Sequence, residues 1–287
     1  MSAGTSTRVR DKYVDVDGLK LRYIEEGAGP AVLLLHGASL GSSADVFRRN
    51  LTPLADAGFR AIAFDSPGFG LSDAPKDHSG GFRKKIIPKF ADALGLARVA
   101  LVGHSQAGNP AVQLAFETPE RYSQIVVLGT GSLLPPMDSG KQNRGAEAQQ
   151  RLERRMAMSE PSIEDTRKLL QENLYHDELI TPEELALRHS HSVGRNFQAF
   201  VARTEAAEAA PQKSESKPPL WQRLVDLPAP LLMIFGCNDR AHAADRAAML
   251  KRQYPQLQIH LVDHCKHLVP WDAADDFIRL AVPFLRT

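Results

Sequence analysis

The sequence predicts an α/β fold: a mostly parallel, eight-stranded sheet flanked by helices, with a helical segment inserted after the sixth strand. Short β-branched or leucine-rich runs alternate with longer helical patterns, which is the signature of a parallel sheet covered on both faces. The alternation stops between Gly131 and Leu227, where only helical patterns occur, and then resumes. At 287 residues the chain can hold one large core plus an insertion but is short for two independent domains.

Strands are predicted at 13–16, 19–25, 31–36, 60–64, 99–102, 125–128, 231–235 and 258–262. Asp17-Gly18 separates the first two and is a strong hairpin signal, so the sheet should begin antiparallel and continue parallel. Core helices are predicted at 45–57, 82–94, 107–117, 243–253 and 272–285. Inside the insertion, helical patterns cover 145–158, 162–175 and 182–203. The last of these starts at Thr181-Pro182-Glu183-Glu184, with threonine as cap, proline in first position and acids in the first turn. Residues 206–219 are polar and proline-bearing and read as a loop. Residues 1–131 and 228–287 are thereby assigned to the core, and 132–227 to a helical lid.

Apolar residues make up 43% of the chain and charged ones 24%, close to the soluble globular average. The balance of 35 basic against 34 acidic residues gives no electrostatic footprint for nucleic acid or an anionic membrane. Arg83-Lys84-Lys85 and the basic run from Arg151 to Arg155 read as solvated helix faces. Met1 to Lys20 holds no signal-peptide core, and the longest apolar runs, such as Ala31–Leu35, are too short to span a bilayer. Two cysteines require no disulfide framework. The expectation is a soluble cytoplasmic protein whose partner is a small-molecule substrate; a homo-oligomer is compatible with all of this.

Chemistry concentrates at Val99-Ala-Leu-Val-Gly103-His104-Ser105-Gln106-Ala107-Gly108, an apolar strand running into a tight turn and a helix. This resembles the nucleophile elbow, G-x-S-x-G, of the α/β-hydrolases, with Ala107 where the motif ends in glycine. A serine hydroxyl is a poor nucleophile unless a base takes its proton. The resemblance implies that the acid and the histidine follow in that order. Asp239 lies in Gly236-Cys-Asn-Asp239 after the seventh strand, and His267 in Asp263-His-Cys-Lys-His267 after the eighth. Both sit beyond the carboxyl ends of strands, where open α/β sheets place their sites. His242, Asp245, Asp263 and His264 are nearby rivals. His36-Gly37-Ala38-Ser39 matches the oxyanion segment of the fold, which implies the backbone N–H groups of Ala38 and Gln106 as donors. His36 itself reads as a brace for that loop, and the glycine-rich Asp65-to-Asp73 segment as scaffold.

Within the superfamily the chain looks most like the meta-cleavage-product hydrolases, which cut a carbon–carbon bond in ring-opened aromatic compounds. The hairpin start, Pro67-Gly-Phe-Gly, the helical lid and Leu185-Ala-Leu-Arg188 carry that resemblance. It implies that Arg188 binds a substrate carboxylate, with His104, Ser39 and Leu268 also lining the pocket. The chain departs from the family with His104 in place of asparagine before the nucleophile and Leu268 in place of tryptophan after the histidine. Its oxyanion loop also lacks the usual glycine-proline pattern. A carboxylic-ester hydrolase is the alternative reading, and a cofactor-free dioxygenase a third. His189 and His191 are two residues apart and so cannot chelate one ion from a helix; no metal is expected. No glycine motif matches a phosphate or dinucleotide loop, and no cofactor is expected. Cys237 and Cys265 each stand two residues before a candidate triad member, on loops after neighbouring strands; they read as two independent buried thiols, with oxidative coupling of the two loops as the alternative.

Overall fold

The computed structural model describes residues 9–137, 154–210 and 218–287. Eight strands form one sheet in the order β1-β2-β4-β3-β5-β6-β7-β8. They are β1 (Lys12–Val16), β2 (Leu19–Glu26), β3 (Ala31–Leu35), β4 (Arg60–Phe64), β5 (Val99–His104), β6 (Tyr122–Leu128), β7 (Leu231–Gly236) and β8 (Gln258–Val262). β1 pairs antiparallel with β2, and β2 antiparallel with β4; every other pairing is parallel. Asp17 and Gly18 turn the hairpin at φ of 56° and 78°, the doubly left-handed geometry that matches strand twist.

The α-helices that lie wholly within the described residues are α1 (Arg48–Asp56), α2 (Gly80–Ala93), α3 (Gly108–Glu117), α4 (Ile163–Asn173), α5 (Pro182–Ser190), α6 (Arg195–Ala209), α7 (Ala243–Gln253), α8 (Val269–Asp272) and α9 (Ala274–Leu285). The buried central strands alternate their side chains between two cores. Leu33, Leu35, Leu101, Val127 and Met233 face one core with α2, α3 and α7. Val32, Leu34, Val102, Val126 and Ile234 face the other with α1 and α9. This period of two explains why near-continuous apolar runs serve as strands buried on both faces.

Four expectations are corrected. The 182–203 pattern is not one helix: α5 ends at Ser190, and Gly194 takes a φ of 59° before α6 starts. The final pattern breaks at Ala273, because the buried Asp272 carboxylate accepts the N–H groups of Tyr175, His176 and Lys266. Arg83 is no solvated face residue: its guanidinium lies 4.7 Å over the Phe69 ring, with Nε buried. The predicted 145–158 helix and Arg151 fall largely or wholly outside the described residues, and the predicted 206–219 loop starts later than expected, because α6 continues to Ala209.

A buried ionic cluster ties the sheet to the loops around the site. Arg22, 1% exposed, donates to Asp45 at 2.8 Å and to Asp65 at 3.3 Å. Asp65 also accepts the N–H of Ala44 at 2.6 Å and of Leu71 at 2.8 Å, and a Cβ on Gly70 would overlap its carboxylate. Removing the cation leaves the fully buried Asp65 carboxylate with backbone N–H partners alone, and takes one of three cationic or imidazole partners from Asp45. Arg22→Met is therefore expected to cost about 3–5 kcal/mol in chemical denaturation. A cost under about 1 kcal/mol would show that the cluster is dispensable.

Candidate active site

The strand order reverses at β3, with β4 on one side and β5 on the other. The carboxyl ends of β3 and β5 thus flank the crevice where open α/β sheets bind ligands. β3 delivers His36 and Gly37 there, and β5 delivers Ser105. Ser105 sits at φ 56°, a left-handed strain of roughly 1–2 kcal/mol for a residue with a Cβ. Neighbouring glycines permit the turn. A Cβ at position 103 would lie 2.6 Å from Gly108 Cα, and one at 108 would lie 2.2 Å from Thr130 Oγ1. The Thr130 hydroxyl then donates to the Ser105 carbonyl at 2.6 Å, fixing the elbow from β6.

Ser105 Oγ lies 2.8 Å from His267 Nε2, and His267 Nδ1 lies 3.0 Å from Asp239 Oδ2. A carboxylate can only accept, so Nδ1 carries the proton and Nε2 faces the serine as a base. The three side chains form one hydrogen-bonded line from a nucleophile to a buried acid. The rivals lie elsewhere. Asp245 pairs with His242 at the surface, His264 packs on the Tyr175 ring, and the Asp263 charge acts on the Cys237 thiol.

Two further glycines let the loops converge across the intervening strands. On Gly236, a Cβ would lie 2.3 Å from the carbonyls of Cys265 and Lys266, so this glycine lets the β8 loop cross β7. Gly129, at φ 61°, passes beneath His267 and Asp239, with its Cβ position 3.2 Å from the His267 carbonyl. The sequence reading missed Gly129, Thr130 and Gly236; the glycines at the ends of β6 and β7 were the available signal.

Gln106 lies in the first helical turn after the nucleophile, where backbone N–H groups have no intrahelical acceptor. Gly37 packs directly on Ser105: a Cβ there would lie 3.0 Å from Ser105 Cβ and 3.4 Å from Ser105 Oγ. His36 braces the segment: Ser66 N–H donates to Nε2 at 2.9 Å, so Nδ1 donates to the Gly37 carbonyl at 2.6 Å. His104 Nε2 contacts the His267 carbonyl at 2.9 Å. Leu268 is buried in the second core, and its N–H bonds the Asn173 carbonyl at 3.1 Å.

From α5, Arg188 turns inward, 8% exposed, and donates to Ser39 Oγ at 2.9 Å. Its Nε is buried and unpartnered, and no described carboxylate pairs with it. Burial pushes its pKa down to about 10. His191, one turn further along, bonds the buried Asp45 at 3.1 Å, while His189 bonds Thr166 at 2.9 Å. The two histidines thus anchor different segments. Cys237 and Cys265 are free thiols on hydrogen-bonded loops, Asn238 N–H to Cys265 carbonyl at 2.9 Å. Burial raises both thiols, Cys237 to about 11, which disfavours the thiolate that disulfide exchange needs.

The alpha/beta hydrolase fold family matches residues 30–274. A 2-hydroxy-6-oxo-6-phenylhexa-2,4-dienoate hydrolase of Comamonas testosteroni is 33% identical over 98% of this chain and 96% of its own length. The chain belongs to the α/β-hydrolases, among the meta-cleavage-product hydrolases. A 2-hydroxy-6-oxononadienedioate/2-hydroxy-6-oxononatrienedioate hydrolase of Burkholderia vietnamiensis is 32% identical to this α/β-hydrolase, over 96% of this chain and 95% of that one. A meta-cleavage product hydrolase structure from Pseudomonas fluorescens superimposes with a TM-score of 0.71 at 26% identity, covering 96% of this chain and 97% of that one.

Two buried histidines give this α/β-hydrolase a pH dependence of folding. Burial and then the neighbouring Arg83 hold His36 well below the ordinary histidine range. Burial and then the His267 ring push His104 down to about 3. Above pH ~6.5 these rings are neutral in both folded and unfolded chains, so neither costs stability. Below it the unfolded chain takes up protons that the fold refuses, so stability falls from about pH 6.5 downward. Urea midpoints are expected to show a loss of about 2–4 kcal/mol between pH 7.5 and 5. A flat profile would mean that these rings accept protons in place.

Proposed function

We propose that this α/β-hydrolase uses water to cleave the carbon–carbon bond of a ring-fission acid, a vinylogous 1,5-diketone of the 2-hydroxy-6-oxo-dienoate type. The observation that carries this is Arg188, a buried guanidinium with a serine hydroxyl but no carboxylate partner among the described residues. A buried cation left uncompensated is costly, and a carboxylate arriving with the substrate completes it. The names of the relatives point to the same chemical class.

In this reading Arg188 and Ser39 hold the carboxylate, and His267 assists ketonisation of the dienol by moving its proton. Ser105 Oγ, or a water it activates, then adds to the distal carbonyl as His267 Nε2 takes the proton. Asp239 keeps the imidazole in its working tautomer and stabilises the imidazolium. The N–H groups of Ala38 and Gln106 receive the oxyanion. Collapse breaks the carbon–carbon bond and His267 gives its proton to the leaving carbon, so that a shorter hydroxy-dienoate departs; a water deprotonated by His267 then hydrolyses the acyl-serine ester, freeing the carboxylic acid and Ser105, whereas direct addition of water gives the acid in one step. Residues 132–227 serve as the lid, with Arg188 projecting from it. The substrate is a small molecule, the setting is the cytoplasm, and no metal or cofactor takes part.

Turnover of a 2-hydroxy-6-oxo-dienoate should exceed that of aryl and alkyl esters in kcat/KM. Turnover of esters alone would overturn the carbon–carbon reading in favour of an esterase.

A further inference from the structure

The loop that carries His267 completes a helix of the insertion. α4 (Ile163–Asn173) ends, like any helix, in carbonyls that no later helical N–H can reach. Two of them are taken by the residues on either side of His267. Lys266 Nζ donates to the Gln171 carbonyl at 2.8 Å, and the Leu268 N–H donates to the Asn173 carbonyl at 3.1 Å. A cation at that end also meets the negative pole of the helix.

Asp272 closes the same junction. Only 8% exposed, it accepts the N–H groups of Tyr175 at 2.8 Å, His176 at 3.0 Å and Lys266 at 2.7 Å. Its Oδ2 alone joins Tyr175, just past α4, to Lys266, the residue next to the base. Three N–H donors from two segments call for a group that only accepts and has two oxygens, which is a carboxylate. The Tyr175 ring adds a contact with the His264 ring, with centroids 5.1 Å apart. From the core, the loop takes the Asn238 N–H on the Cys265 carbonyl and the His104 ring on the His267 carbonyl. The position of the imidazole is thus shared between the sheet and the end of α4. Its contacts of 2.8 Å to Ser105 and 3.0 Å to Asp239 leave little slack, and a misplacement of about 1 Å can cost on the order of 10²-fold in rate.

We propose that Asp272 is a positioning residue for the catalytic base: it fastens the His267 loop to the segment after α4, so that His267 meets Ser105 only while that part of the insertion is seated. The inference rests on His267 as the base and not on the carbon–carbon reading, so it applies to an esterase as well.

Fluorophosphonate labelling of Ser105 tests this without a known substrate. In folded Asp272→Ala the labelling rate is expected to fall about 10–100-fold, the cost of a displaced base. The far-downfield proton signal of His267 Nδ1–H, protected in the native protein by its bond to Asp239, should broaden or disappear. A carboxylate that only supports the fold would lower the denaturation midpoint and leave both readouts native; a native value of either one overturns the inference. Amide hydrogen exchange of the native protein gives an independent reading. Tyr175, His176 and Lys266 should share one opening, with protection factors within about tenfold of one another. Protection of Lys266 far beyond that of Tyr175 and His176 would mean that the loop and the insertion open separately, and would overturn the inference whether or not the variant folds. His267→Ala is the reference: if it labels at the native rate, the assignment of the base fails and this inference falls with it.

Discussion

Ser105→Ala is expected to lower kcat by on the order of 10⁴–10⁶-fold while leaving the protein folded. The size follows from how the site divides its labour. Ser105 Oγ, His267 and Asp239 act as one unit through contacts of 2.8 and 3.0 Å. Without the oxygen, the base has nothing to activate except water, and only the oxyanion donors and substrate binding still favour the reaction. The elbow survives because the glycines at 103 and 108 and the Thr130 bond define the turn, and neither depends on the serine hydroxyl. Thermal melting should therefore stay within a few degrees of the native protein. His267→Ala should cost a comparable factor, and the double variant little more than either alone, since members of one unit are not additive. A fluorophosphonate should label the native protein and not Ser105→Ala. Normal turnover by Ser105→Ala would exclude serine from the chemistry and favour the cofactor-free alternative.

The parts of the site that could be read from sequence are those set by local pattern. Ser105 was visible because an apolar strand, a turn and a helix surround it within a few residues. Asp239 and His267 were visible from chain order and from their places after β7 and β8. What stayed hidden depends on chain crossings. Gly129 and Gly236 matter only because the loop after β8 folds back over two strands, and nothing in their immediate neighbours announces that. The Arg22 cluster joins residues from β2, the segment before α1 and the loop after β4, a juxtaposition that only the sheet order creates. Arg83 looked like one of three surface cations because helical periodicity cannot show that Phe69 approaches from a different loop. The break between α5 and α6 was hidden for a similar reason. His191 is drawn to Asp45 in the core and Ser192 back-bonds the Arg188 carbonyl at 2.8 Å, tertiary contacts that override a continuous helical pattern.

Arg188→Met is expected to raise stability and weaken acid binding together, and the opposed signs make it diagnostic. Methionine matches most of the arginine stem in length and carries no charge. In the unliganded protein, Arg188 is a buried cation whose Nε has no partner and whose pKa burial has lowered to about 10. Replacing such a group with an apolar side chain of similar volume should stabilise the fold by about 1–3 kcal/mol, seen as a higher denaturation midpoint. The same change removes the charge-assisted hydrogen bonds that a carboxylate would receive, worth about 1.5–3 kcal/mol, so KM for a dienoate should rise about 10–150-fold. A neutral aryl ester, if accepted at all, should show a far smaller change in KM, because it has no carboxylate to lose. A purely structural arginine would behave otherwise: its removal would lower the midpoint, and acids and esters would suffer alike. The variant thus separates an arginine kept for the fold from one kept, at a cost in stability, for the ligand.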